Sequence, residues 1–216
     1  MSEPLVILGG TFDPVHFGHL RPALEVAQAL AVDRLHMVPA PSPPHRAEPG
    51  APAAHRVAML ERALAGQDSL VLDTRELERE GPSYTVDTLA GIREGEPERP
   101  VALVVGEDSF ASLTQWHDWQ RLPELAHLVV MTRPGAPRVL DAALERLSTR
   151  NRARDPAELR SRPAGLVLTV PVTALDISAS RIRAMIGRGE DPRWLLPESV
   201  LDYIRENGLY GHDLRE

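Results

Sequence analysis

The chain has 216 residues, 43% hydrophobic and 4% aromatic, with a formal net charge of −7 and no cysteine; this suits one domain with a full core and excludes disulfides, thiolate nucleophiles and thiolate metal sites. All 24 basic residues are arginine, which removes the phosphate-binding lysine of a P-loop, the strand lysine of a protein kinase and any lysyl–nucleotide intermediate. The acidic balance argues against a nucleic-acid binder, no apolar run approaches the roughly 20 residues that span a bilayer, and the missing leader pattern makes the chain read as cytoplasmic.

Leu5–Leu8 is an apolar run of strand length. After the segment from Gly9 to His19, apolar positions Leu20, Ala23, Leu24, Ala27 and Leu30 fall at helical spacing and predict a helix over 18–31. Leu35–Val38 predicts a second strand and 53–65 a second helix. Between them, the proline-rich segment 39–52 cannot be regular structure and reads as a long exposed loop, a candidate lid beside a phosphate site. Further strand–helix pairs follow: Leu70–Leu72 with a helix near 84–94, Val101–Val105 with 108–114, and Leu128–Met131 with a helix near 138–148. Leu166–Val170 precedes helices near 179–187 and 197–207.

This alternation predicts an α/β fold: a Rossmann-like, doubly wound parallel sheet with a small C-terminal helical extension. We divide the single domain 1–216 into a core over 1–175 and a helical part over 176–210, with a frayed tail after Tyr210. In such sheets ligands sit beyond the carboxyl ends of the strands, where the segment after Leu8 falls. Residues 133–162 hold eight arginines against four acids, a local +4 that reads as a solvated excursion.

The segment Gly9-Gly10-Thr11-Phe12-Asp13-Pro14-Val15-His16-Phe17-Gly18-His19 carries the strongest chemical signal. Glycines allow close backbone approach, a helix N-terminus favours an anion, and two imidazoles three residues apart can share one helix face. The combination suits phosphates whose charge grows during a reaction. A metal pair is the less fitting alternative, because helical histidine ligands more often come four apart with a carboxylate nearby.

His16-Phe17-Gly18-His19 matches the HxGH signature of the nucleotidyltransferase superfamily, and the longer string GGTFDPVHFGHL resembles the bacterial nicotinate mononucleotide adenylyltransferases. The resemblance implies that His16 and His19 contact substrate phosphates, with Gly9, Gly10, Thr11 and Phe12 beside them. Pro43-Pro44-His45-Arg46 is similar to the family's PPH plus basic residue, which assigns Arg46 to the ATP phosphates. Ser83-Tyr84-Thr85 resembles the segment that reads the nicotinate carboxylate through main-chain amides; read alone, Ser83 or Thr85 is a helix cap. Asp108, in Gly106-Glu107-Asp108, resembles the acid that contacts ribose hydroxyls, and by itself reads equally as an N-cap. Trp116 is assigned by resemblance to stacking on the pyridine ring, and Trp119 to the core. Ile177-Ser178-Ala179-Ser180-Arg181-Ile182-Arg183 is similar to the ISSTxIR element that holds ATP phosphates; Ala179 departs from it, leaving Ser178, Ser180 and Arg183.

The implied reaction joins ATP and nicotinate mononucleotide by direct in-line attack, with magnesium carried by the ATP phosphates and no covalent intermediate. Catalysis falls to His16, His19, Arg46 and Arg183. Neighbouring alternatives are an adenylyltransferase for nicotinamide mononucleotide or phosphopantetheine, and a non-catalytic nucleotide sensor on the same fold. A dinucleotide-dependent oxidoreductase lacks its G-x-G-x-x-G, since Gly9-Gly10 is followed by Thr-Phe-Asp.

Overall fold

Each apolar run becomes a strand: β1 (Leu5–Gly10), β2 (Leu35–Pro39), β3 (Leu70–Leu72), β4 (Val101–Gly106), β5 (His127–Thr132) and β6 (Val167–Pro171). The computed structural model describes residues 2–41, 49–79, 81, 83–132 and 140–211. The strands form one parallel sheet in the order β3-β2-β1-β4-β5-β6. Leu8 of β1 lies opposite Met37 on one side and Val104 on the other. The chain winds outward from β1 to β3, then returns to lay β4 beside β1. That reversal opens a crevice at the carboxyl ends of β1 and β4, the switch point where such sheets bind ligands.

Alternate side chains of the buried strands feed two cores, as expected for a sheet covered on both faces. Val6 and Leu8 face one core with α1 (Phe17–Ala29), α2 (Ala53–Leu64), α7 (Ala179–Gly187) and α8 (Glu198–Glu206), through residues such as Val26, Met59, Ile182 and Ile204. Leu5 and Ile7 face the other, with α3 (Thr85–Gly95), α4 (Glu107–Ala111), α5 (Leu122–Leu125) and α6 (Ala142–Arg150), through Leu89, Phe110, Leu122 and Leu144. Among the described residues no helix is long and apolar enough to cross a membrane.

Some boundaries differ from the sequence reading. The helix expected near 138–148 starts at Ala142, where the Asp141 carboxylate accepts from the Ala143 amide at 2.6 Å. The helix expected over 108–114 stops at Ala111 and gives way to a tighter turn over Leu113–Gln115. Pro22 lies in the second turn of α1, so the Gly18 carbonyl lacks its usual i+4 donor. In the arginine-rich stretch, Arg160 is a tie rather than a solvated charge, donating to the carbonyls of Leu30 and Ala31 at 3.3 and 2.8 Å.

Candidate active site

The glycine turn closes tightly after β1. A Cβ on Gly10 would sit 2.8 Å from the Phe12 ring, so only glycine leaves that ring in place. Phe12 itself holds φ at +50° and is buried, a conformation that costs free energy in a bulky residue and so marks a constrained site. His16 stands at the N-cap of α1 without using its side chain as a cap. Its ring therefore remains available to the cleft, stacked on His19 with centroids 3.7 Å apart. Gly18 is the spacer that permits this, because a Cβ there would come within 2.9 Å of His16 Nδ1.

Burial pushes the His16 imidazole down to about 4. Burial, reinforced by His16, pushes His19 down to about 3. Both rings are neutral near pH 7, and the Nδ1 atom of each is buried without a hydrogen-bond partner among the described residues. A buried, unsatisfied polar atom is costly. An arriving anion would favour the protonated rings and supply the missing partner.

Asp13 and Arg56, to which the sequence reading gave no role, frame this turn together with Arg183. The Asp13 carboxylate, 3% exposed, accepts from the amides of Gly50 and Ala51 at 2.7 and 3.1 Å and from the Tyr210 hydroxyl at 2.6 Å. Arg56, fully buried in α2, donates to the carbonyls of Thr11, Ala40, Pro41 and Ala51 at 2.6 to 3.2 Å. It thus ties the glycine turn to the chain leaving β2 and to the chain entering α2. Arg183 donates to the Asp13 carbonyl at 2.6 Å and lies 3.4 Å from its carboxylate. Gly50 packs against Arg183, for a Cβ there would approach its Cδ to 3.0 Å.

Two hollows open on either side of the turn. One, of about 570 Å³, is lined by Gly9, Gly10, Thr11, Phe12, Asp13, His16, His19, Ser178, Ser180 and Arg183. Ser178 caps α7, its hydroxyl accepting from the Arg181 amide at 3.3 Å and lying 3.3 Å from the Ser180 hydroxyl. The other, of about 260 Å³, is lined by Val38, Glu76, Ser83, Tyr84, Thr85, Leu103, Val105, Trp116 and His117. The two share Leu8, Gly9, Gly10, Thr11, Gly106 and Ser109, so they are halves of one groove.

The groove gathers most of the residues singled out in the sequence. Arg46 lies outside the described residues. Asp108 is exposed and lines neither half, while its neighbour Ser109 lines both. Nor is Asp108 an N-cap, since Gly106 occupies that position in α4. Ser83 and Thr85 do not cap α3; Tyr84 stands at its N-cap, and the Ser83 hydroxyl accepts from Arg79 at 3.1 Å. Trp116 and Trp119 both pack partly buried against the core, and of the two only Trp116 lines the smaller half. Glu76 and His117 were not foreseen; the His117 ring lies 4.3 Å from that of Tyr84. His117 sits within the Trp-His-Asp-Trp motif, and its neighbourhood with Trp116 was the one signal that could have found it.

A glycine turn shared by two hollows at the switch point of a parallel sheet is the architecture of a nucleotide-binding enzyme, and comparison with known proteins places it in nucleotidyl transfer. Residues 7–185 match the cytidylyltransferase-like family model. Over 209 residues, 96% of each chain, the sequence is 49% identical to the "Probable nicotinate-nucleotide adenylyltransferase" of Acidithiobacillus ferrooxidans. It is 42% identical over 213 residues to the protein of that name from Aeromonas salmonicida, covering 99% of this chain and 100% of the other. The fold is similar to that of Plasmodium falciparum nicotinic acid mononucleotide adenylyltransferase complexed with NaAD, with a TM-score of 0.76 and 16% identity over 99% of this chain and 100% of the other. The chain belongs to the cytidylyltransferase-like family and, within it, to the nicotinate-nucleotide adenylyltransferases.

Proposed function

We propose that the protein transfers the adenylyl group of ATP to nicotinate mononucleotide, giving nicotinate adenine dinucleotide and pyrophosphate in NAD biosynthesis. The observation that carries this reading is the shared floor of the groove. Gly9, Gly10 and Thr11 line both hollows, so a phosphate held there can be reached from either side. The triphosphate fits the larger hollow, with His16, His19, Ser178, Ser180 and Arg183 around it. The pyridine nucleotide fits the smaller one, its ring against Trp116 and its carboxylate toward the amides of Tyr84 and Thr85, where the N-terminus of α3 offers donors.

In this arrangement an oxygen of the 5′-phosphate attacks the α-phosphorus of ATP. The bond from that phosphorus to the β-bridging oxygen breaks opposite the new one, and pyrophosphate leaves with the electron pair. ATP enters as its magnesium complex, the ion carried by phosphate oxygens. The protein holds the two reactants in line and stabilises charge as it builds on the phosphates, through the histidine pair and Arg183. Arg46 extends the same charge clamp, and Asp108 serves the ribose hydroxyls from the rim. The test is product analysis with magnesium ATP and nicotinate mononucleotide. One pyrophosphate per dinucleotide is expected, and release of neither product would refute the reading.

A further inference from the structure

The smaller hollow carries a charge that the reaction as written above does not use. Its described lining is apolar or aromatic apart from hydroxyls, main chain, His117 and one carboxylate, Glu76. Glu76 is 8% exposed, and among the described residues its Oε1 accepts one hydrogen bond, from the Thr88 hydroxyl at 2.7 Å. No described residue forms an ion pair with it. The Arg79 guanidinium donates to the Thr88 and Ser83 hydroxyls, so the Thr88 hydroxyl stands between it and the Glu76 carboxylate. Burying a carboxylate with one neutral partner is unfavourable unless a cation completes it.

We infer that Glu76 is a specificity-determining residue that recognises the cationic ring of a pyridinium nucleotide. The inference rests on the function proposed above and deepens it. In nicotinate mononucleotide the ring nitrogen is bonded to the ribose and carries a fixed positive charge, while the ring carboxylate is negative. The hollow is complementary to both ends of that zwitterion. Neutral amides at the start of α3 meet the carboxylate, and Glu76, itself buried, meets the ring charge from the hollow's lining, where a charge pair is less screened than at the open surface. Glu76 is the one carboxylate among the described lining residues, so selection for the ring's positive charge falls to it.

The test compares binding of nicotinate mononucleotide with binding of an isostere whose ring is neutral, the 3-carboxyphenyl C-riboside 5′-phosphate, to wild-type protein and to Glu76→Gln by titration calorimetry. The glutamine retains an oxygen for Thr88 and removes only the charge. Glu76→Gln is expected to weaken the pyridinium nucleotide by about tenfold or more and the neutral-ring isostere by less than twofold. Thr88→Val, which keeps the charge, is expected to preserve the wild-type preference for the cationic ring. Equal weakening of both ligands in Glu76→Gln, or no weakening of either, would overturn the assignment and leave Glu76 a structural support of Thr88. If wild-type protein binds nicotinate mononucleotide no better than buffer, the proposed function falls and this inference with it.

Discussion

Asp13 and Arg183 stand 170 residues apart in the chain, yet the Arg183 guanidinium donates to the Asp13 carbonyl at 2.6 Å. That contact fixes α7 against the glycine turn and aims the arginine into the larger hollow beside His16 and His19. Arg183→Ala is therefore expected to lower kcat by about 10²-fold, the usual loss on removing one preorganised charge-stabilising donor. Steady-state kinetics check this. A loss confined to the KM of nicotinate mononucleotide would contradict it.

The histidine pair makes both stability and binding depend on pH. In the unfolded chain each imidazole takes up a proton as pH falls through 6.5, whereas the folded protein excludes it until about 4 for His16 and about 3 for His19. The unfolded state thus binds more protons in that window. The contribution is fully present above pH 6.5 and declines as the pH drops toward 4. Thermal midpoints between pH 7 and 5 are expected to fall in the free protein, and His16→Asn is expected to flatten the slope. Inorganic triphosphate should bind with net proton uptake at pH 6, read as a calorimetric enthalpy that differs between buffers of unlike ionisation heat. Binding without proton uptake would show that the rings stay neutral beside the anion.

Arg56 is a support rather than a contact for substrate. Its four carbonyl partners come from three separate stretches of chain and are left unsatisfied if it is removed. Arg56→Met should cost about 3 kcal/mol or more of unfolding free energy. Arg56→Lys should recover little, because an ammonium cannot reproduce the fork. Urea unfolding decides the matter, and a loss below about 1 kcal/mol would mean the carbonyls find other donors.

These supports explain what the sequence could and could not reveal. Strands and helices are legible because their apolar spacing is local: Leu5–Leu8 with Leu20, Ala23 and Leu24 already states a buried strand and an amphipathic helix. The glycine turn and the histidine pair are legible for the same reason, lying within eleven residues. Asp13 is inside that motif yet reads there as a turn residue; its partners Gly50, Ala51 and Tyr210 are 37 to 197 positions away. Arg56 reads as an exposed helical charge until the sheet folds three carbonyl-bearing loops around it. Glu76 reads as one acid among many, because the hollow it lines exists only once β1, β4 and the start of α3 meet. Asp108 shows what spacing alone leaves open, since the first turn of α4 carries it to the exposed side of the groove while its neighbour Ser109 lines both halves.

Trp116 and Trp119 both pack against the core, but only Trp116 also lines the smaller hollow. Trp116→Ala is expected to raise the KM of nicotinate mononucleotide by about tenfold, in line with the typical loss of one ring-stacking contact, and to leave the KM of ATP unchanged. Kinetics with each substrate varied in turn test this. An equal rise in both values would indicate a general disturbance of the groove.

The most direct measurement compares pyrophosphate release from magnesium ATP with nicotinate mononucleotide and with nicotinamide mononucleotide as acceptor, expressed as kcat/KM. The two acceptors share the pyridinium ring, ribose and phosphate and differ only in the group offered to Tyr84 and Thr85. The account predicts fast release with the acid and slow release with the amide. Equal values for the two acceptors, or release with the amide alone, would contradict the assignment of the α3 amides to the nicotinate carboxylate.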